Sequence, residues 1–160
     1  MIFCLSIMAY AQTPQDRATE LKKQAQSSLN QKDYIKARYL FKKAYEAFAS
    51  RENYPQAIEC GVQANALYVR ENFYKEGFEL CRDMEQLLWT GEQNKKKVFY
   101  DLRFLINKER LQMYTALKNP AQAKIQLDKL EEMANLAKND SLTEVLLYTK
   151  ANYYLSLIHI

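Results

Sequence analysis

The chain has very few of the residues on which most enzyme sites depend. Its one histidine, His159, is the second-last of 160 residues, which leaves no histidine elsewhere to act as a general base, proton relay or metal ligand. Gly61, Gly77 and Gly91 stand alone, so there is no glycine-rich phosphate loop, and no two cysteines have Cys-x-x-Cys spacing. We therefore expect no catalysis, metal or cofactor, and no small-molecule site is evident.

Residues that break helices are also scarce, with three glycines and three prolines in the whole chain. Such a sequence favours long helices with short connections. Hydrophobic residues make up 48% of the chain, which is enough for one domain with a core. We expect an all-α fold without sheet.

Charge gives little indication of a partner. The formal net charge is +4, and both signs are interspersed, so nucleic acid is not an expected partner. The densest basic run, Lys95-Lys96-Lys97, is interpreted as a solvated helix start, with a contact patch for an acidic partner as the alternative.

Local capping signals divide the chain into helices. Thr13-Pro14, Asn53-Tyr54-Pro55 and Asn119-Pro120 each combine an N-cap residue with an early proline. Thr90-Gly91-Glu92 is expected to break the chain, and Ser141 to Glu144 has a capping-box pattern. These signals predict seven helices, at 14–31, 34–51, 54–71, 73–89, 94–117, 120–138 and 141–158.

A spaced pattern of small and aromatic residues recurs along the chain. Tyr34, Ala37, Phe41 and Ala44 lie on one face of a helix. A similar series begins at Tyr74 and Gly77, and another contains Ala123. The small residues Ala37, Gly77 and Ala123 are separated by 40 (77 − 37) and 46 (123 − 77) positions, a period typical of helical repeats.

These residues resemble the tetratricopeptide repeat over about residues 17–158. Leu21, Ala25 and Leu29 match the first helix of one repeat, and Leu147, Ala151 and Tyr154 match that of a fourth. Asn65 and Leu111 stand where the family has a small residue, and the period is longer than the family's usual 34 residues. The resemblance implies antiparallel helical hairpins stacked as a right-handed solenoid, with armadillo or HEAT-type repeats as the alternative fold. The repeat-core residues it implies are Ala25, Tyr34, Ala37, Phe41, Ala44, Tyr74, Gly77, Ala123, Ala151 and Tyr154.

The resemblance also implies a ligand face on the first helix of each repeat, suited to an extended peptide or a partner helix. Chaperone-binding members of the family hold a C-terminal carboxylate with Lys, Asn and Arg residues. Here Lys22 fits, but Gln26, Gln63, Leu105 and Glu109 stand at the other places, so we do not expect capture of a chaperone tail. The predicted ligand face, concave in such a solenoid, consists of Lys22, Gln26, Val62, Ala66, Arg70, Lys108, Gln112 and Asn152.

The two ends differ from the rest of the chain. Residues 1–8 are apolar, and Ala9-Tyr10-Ala11 has the pattern of a signal-peptidase site, although the usual basic start is missing. We interpret residues 1–11 as a truncated signal peptide and residues 12–160 as a helical repeat domain that is incomplete at its C-terminus. Residues 155–160 stop within an apolar helical pattern, and Ser156 to Ile160 resembles translated sequencing-adapter read-through, so whether it is native stays open. The final helix is expected to leave an apolar stripe uncovered, formed by Leu146, Leu147, Tyr153, Tyr154, Leu157 and Ile158.

Cys60 and Cys81 are expected to be small buried apolar residues. The alternative is a disulfide between them in an oxidising periplasm.

Three functional hypotheses follow. In the first, the chain is an extracytoplasmic interaction or sensor region, similar to the N-terminal part of Gram-negative membrane histidine kinases and attached to a membrane only through downstream sequence. In the second it is a stand-alone periplasmic scaffold for envelope assembly or uptake, and in the third a cytoplasmic adaptor with an apolar N-terminal arm.

Export is directly testable. Because signal peptidase needs small residues on both sides of Tyr10, a C-terminally tagged chain expressed in a Gram-negative host should appear in the periplasm with Gln12 as its first residue. Ala11→Phe should block that cleavage. Cell fractionation with N-terminal sequencing measures both results, and a cytosolic protein with an intact N-terminus would contradict the signal-peptide interpretation.

Overall fold

A computed structural model describes residues 14–158, with side chains from Arg17 onward. The predicted signal peptide and His159 lie outside the described residues. The described part has seven helices and no strand, which confirms the all-α prediction. The helices are α1 (Pro14–Asn30), α2 (Tyr34–Ala49), α3 (Tyr54–Arg70), α4 (Tyr74–Lys95), α5 (Tyr100–Ala116), α6 (Pro120–Ala137) and α7 (Asp140–Ile158).

Four of the turns between helices share one hydrogen-bonded design. After α1, the N–H of Asp33 donates to the carbonyl of Ser28 at 2.9 Å, and Lys32 between them adopts φ 61°. This bond, from a backbone N–H beyond the helix to the carbonyl five residues earlier in its last turn, is the Schellman motif. The same bond closes the turns after α2, α3 and α5, where the left-handed residues are Glu52, Asn72 and Lys118.

Side-chain caps begin several helices where the sequence predicted them. The side-chain oxygen of Asn53 accepts a hydrogen bond from Gln56 N at 3.4 Å, and that of Asn119 accepts from Gln122 N at 3.1 Å. Asp33, which was not predicted as a cap, accepts from Lys36 N at 3.1 Å. The start of α7 differs from the prediction, because Asn139 rather than Ser141 is the capping residue. Its side-chain oxygen accepts from Ser141 N at 3.0 Å, so the helix begins one residue early, at Asp140.

Each helix packs on the next, and α5 also contacts both α3 and α7. Because the connecting turns are short, consecutive helices run antiparallel and alternate helices run in the same direction. Two apolar cores result, and α5 is buried in both of them. Its residues Leu102, Ile106 and Met113 belong to the core with α1 to α4, whereas Phe104 and Leu111 belong to the core with α6 and α7.

The expected break at Thr90-Gly91-Glu92 is wrong, because α4 continues to Lys95. Gly91 is buried against the ring of Tyr54 on α3, and a Cβ atom there would lie 2.5 Å from the ring's Cζ. Contact with Tyr54 therefore outweighs the intrinsic cost of a glycine within a helix. The helix ends instead at Lys95, and the next residue, Lys96, adopts the left-handed conformation with φ 49°.

The basic run consequently ends a helix rather than starting one. Cations at a helix C-terminus are favoured by the helix dipole. The following turn is held by Glu92, whose carboxylate accepts from Phe99 N at 3.0 Å and forms an ion pair with Arg103 on α5. The hydrogen bond from Arg103 lowers the pKa of Glu92.

The last helix is only half covered by its neighbours. Leu146 and Tyr153 are buried, whereas Leu147 and Tyr154 are 63% and 52% exposed. The uncovered stripe predicted on this helix is therefore narrower than expected, since two of its six members pack into the second core. Among the described residues, no helix is both long and apolar enough to cross a bilayer.

Two helix glycines allow a test of close packing. Alanine in place of Gly91 would push its methyl group against the rigid ring of Tyr54. Alanine in place of Gly61 would place its methyl group 2.5 Å from Met84 Sδ, but the methionine side chain is flexible and can move away. We expect Gly91→Ala to lower the free energy of unfolding by about 1–3 kcal/mol and Gly61→Ala to lower it less. Urea unfolding measures both, and a Gly91→Ala protein as stable as Gly61→Ala would contradict this packing account.

Candidate functional site

A groove of about 720 Å³ lies between α5 and α7. The two helices run in the same direction, and each contributes residues one turn apart, which places those side chains on one face. The groove contains Lys108, Gln112 and Asn152 of the predicted ligand face. Its full lining is Lys108, Leu111, Gln112, Thr115 and Ala116 from α5 and Glu144, Val145, Tyr148, Thr149, Asn152 and Tyr153 from α7.

The middle of the groove is apolar although it contains two threonines. The hydroxyl of Thr115 donates to the carbonyl of Leu111 at 2.8 Å, and that of Thr149 donates to Val145 at 2.7 Å. Since both hydroxyl protons are used within their own helices, neither is free to be donated to a ligand. Tyr148 forms an exposed wall, with 71% of its surface accessible.

The charged groups of the groove lie towards one end. The hydroxyl of Tyr153 donates to the carbonyl of Pro120 at 3.5 Å, which holds this part of α7 beside the start of α6 and so beside Ala116 at the end of α5. Lys108 lies about two turns before Ala116 on α5, and Glu144 lies about two turns before Tyr153 on the parallel helix α7. The groove therefore has one charge of each sign at one end and neutral polar groups at the other.

The other predicted ligand-face residues do not join this groove. Lys22 and Gln26 line a separate cleft of about 480 Å³ beside α1, and Lys22 is already bonded to Gln56 at 2.9 Å and Glu59 at 2.7 Å. On α3, Val62 packs against the first core and Ala66 is exposed. The guanidinium of Arg70 lies 3.9 Å from the ring centroid of Tyr34. Of the eight predicted residues, three therefore line the groove between α5 and α7 and five lie outside it.

The sequence did not identify the apolar residues of the groove. Leu111 stands out in the sequence only as a departure from the small residue of the family pattern. Val145 and Tyr148 carry no signal of their own, because α7 is apolar on nearly every side and its pattern does not identify one face. The sequence signals that pointed to this groove were its polar residues Lys108, Gln112 and Asn152.

Most predicted repeat-core residues lie inside the protein, and two do not. Ala25, Ala37, Phe41, Ala44, Gly77 and Ala123 are buried, and Tyr34 and Tyr74 are partly buried. Ala151 and Tyr154 are exposed instead, because the face of α7 that carries them has no helix against it within residues 14–158. Trp89 is 55% exposed on α4.

Cys60 and Cys81 are buried free thiols, without the disulfide considered above. Burial raises the pKa of each to about 12. Their neighbours differ, since Lys22 of α1 lies near Cys60 whereas Arg110 of α5 lies near Cys81. The two thiols therefore face different helices, which opposes a bridge between them. Within the described residues, no group of three or more His, Cys, Asp or Glu side chains is placed to hold a metal ion.

Comparisons of the chain with protein-family models, with curated proteins and with solved structures found no match. The function is therefore inferred from the geometry of the grooves and the chemistry of their linings.

The state of the two cysteines leads to a prediction. Because thiolate is the reactive form and the pKa of both thiols is about 12, Cys60 and Cys81 should resist iodoacetamide at pH 8 in the folded protein and react fully in urea. Peptide mass spectrometry measures the modified fraction at each cysteine. Recovery of a Cys60–Cys81 linked peptide from non-reduced protein would contradict the free-thiol state.

Proposed function

We propose that this chain is a tetratricopeptide-like interaction module, stacked as a right-handed solenoid, that binds a peptide segment of another protein in the groove between α5 and α7. The antiparallel neighbours and the contacts of α5 with α3 and α7 support this arrangement, because stacked hairpins bring alternate helices together. The repeated turn design supports it as well, since four turns close with the same hydrogen bond.

The observation that carries the proposal is the composition of the groove. An apolar middle of Leu111, Val145 and Tyr148 would take one or two hydrophobic side chains of a peptide. The amides of Gln112 and Asn152 can both donate and accept hydrogen bonds, as a peptide backbone requires. Lys108 and Glu144 would fix the direction of a bound segment by pairing with charges at one of its ends.

We further propose that the module acts outside the cytoplasm, as the recognition part of a membrane signalling protein. The support for this location is the signal-peptidase pattern at residues 9–11. In this setting the ligand would be an extracytoplasmic peptide or an exposed segment of an envelope protein.

A displayed library of random peptides tests the groove even though its ligand is unidentified. Peptides selected on the wild-type protein should lose at least about ten-fold in affinity for Tyr148→Ala, because a large aromatic wall is a frequent hot spot in binding sites. Lys108→Ala should weaken peptides with an acidic residue more than those without one. Fluorescence anisotropy of the synthesised peptides measures the dissociation constants.

Tyr39→Ala is the matched control. Tyr39 is a tyrosine on α2 that is 60% exposed, so its removal deletes a similar surface away from the groove. Selected peptides should bind Tyr39→Ala as they bind the wild type. Equal losses for both variants, or selection only of peptides insensitive to Tyr148→Ala, would contradict the proposed site.

A further inference from the structure

A carboxyl group is buried where α3, α4 and α5 meet. Glu109 on α5 is 2% exposed and Asn65 on α3 is fully buried. The Nδ2 group of Asn65 donates to Oε2 of Glu109 at 3.0 Å. On α4, Gly77 leaves room for the amide, since a Cβ atom at that position would lie 3.0 Å from Asn65 Oδ1.

The surroundings of Glu109 disfavour its charged form. Burial raises the pKa of its carboxyl, while the hydrogen bond from Asn65 and the neighbouring charge of Lys108 lower it less. On α4 the nearby ionisable groups are the thiol of Cys81, whose pKa is about 12, and Glu85. The two oxygens of Glu85 accept from Arg110 at 2.5 and 2.7 Å, so the charge of Arg110 is already paired.

The opposite side of α5 faces α6 and α7 through Phe104 and Leu111. Helical spacing places Glu109 away from these two residues and on the face of Ile106 and Met113, which belong to the first core. The carboxyl is therefore part of the joint between α5 and the first core.

Asn65 has one hydrogen-bonding group that is not used. Its Oδ1 atom is buried and has no hydrogen-bond partner, whereas its Nδ2 group is bonded to Glu109. An ionised carboxylate cannot supply the missing donor, because it only accepts hydrogen bonds. A protonated carboxyl carries one O–H donor as well as an acceptor. An acid and a primary amide can thus form two hydrogen bonds with each other, and both groups of Asn65 would be satisfied.

We propose that protonated Glu109 donates to Asn65 Oδ1 while accepting from Asn65 Nδ2, and that this neutral acid–amide pair is a pH-sensitive lock that joins α3 to α5. Ionisation of Glu109 removes one of the two hydrogen bonds and places an uncompensated charge in the joint between the two cores. The joint therefore loosens as the pH rises. This lock is independent of the peptide ligand proposed above.

The sign of the pH dependence follows from linkage. In the unfolded chain Glu109 has an ordinary pKa of about 4.3. In the folded protein the pKa is higher, so the contribution of the pair is complete below about pH 4.3 and decreases between the two pKa values. Over that interval the unfolding constant increases by up to about ten-fold per pH unit, and above the folded pKa this effect is constant.

Glu109→Gln tests the lock, because glutamine keeps a donor and an acceptor at the same place but does not ionise. Urea unfolding would be measured from about pH 4 to pH 9 for the wild type, Glu109→Gln and the control Glu132→Gln, whose side chain is exposed on α6. The ratio of the wild-type unfolding constant to that of Glu109→Gln should rise with pH, by a total factor of ten raised to the difference between the folded and unfolded pKa of Glu109, and the ratio to Glu132→Gln should stay flat. A ratio to Glu109→Gln that is constant or falls with pH would overturn the proposal.

Two further measurements use the wild-type protein and do not require a folded variant. In a ¹³C NMR titration of the glutamate carboxyl groups, one buried group should ionise at a higher pH than the others. Hydrogen exchange, corrected for its intrinsic pH dependence, should show α3 and α5 losing protection over the same pH interval. If all glutamates titrate near the ordinary pKa, or if α3 and α5 keep their protection through the titration, the lock does not exist.

Discussion

The burial of α5 on two sides is the constraint on which the rest of the structure depends. Leu102, Ile106 and Met113 pack towards α3 and α4, and Phe104 and Leu111 pack towards α6 and α7. A helix with two apolar faces has only narrow strips left for polar residues. Lys108 and Gln112 belong to one of these polar strips and line the groove. Arg103 and Arg110 form ion pairs with acidic residues of α4. The orientation of α5 therefore fixes both the cores and the candidate site.

Glycine has an unusual distribution in this chain, and it explains how closely the helices pack. The turns use lysine, glutamate and asparagine in the left-handed region, at a cost of roughly 1–2 kcal/mol for each residue. The glycines lie within helices instead, where Met84, Met113 and Tyr54 occupy the space that a Cβ atom would fill. The Schellman hydrogen bonds offset the cost of the turns, and the missing Cβ atoms allow large side chains of neighbouring helices to approach the backbone.

Features of the fold that depend on contacts within one turn of the chain could be predicted from the sequence, whereas features that depend on distant residues could not. The starts of α3 and α6 depend on Asn53 and Asn119, which bond to the next turn of the same chain, so their sequence signals sufficed. The extension of α4 through Gly91 depends on Tyr54, more than thirty residues away, and local rules gave the wrong answer. The groove could be predicted only in part, since Lys108 and Gln112 show a polar face whereas α7 does not distinguish its sides.

The burial of Glu109 and the partial exposure of Lys108 both follow from how α5 is rotated about its axis. Adjacent residues of a helix point about 100° apart, so turning α5 by one position to bring Lys108 into the joint would carry Glu109 out of the joint, on the side away from the groove. Glu109 becomes neutral by binding a proton, and the amide of Asn65 can then bond to it. A lysine in the same place would instead have to lose its proton to become neutral. With Lys108 in the joint, Asn65 Nδ2 could still donate a hydrogen bond to the neutral amine. Lys108 would, however, no longer present a charge to a ligand in the groove. The orientation of α5 that places Lys108 beside the groove is thus also the one that buries Glu109. In that orientation, protonation of Glu109 keeps the joint between α3 and α5 closed.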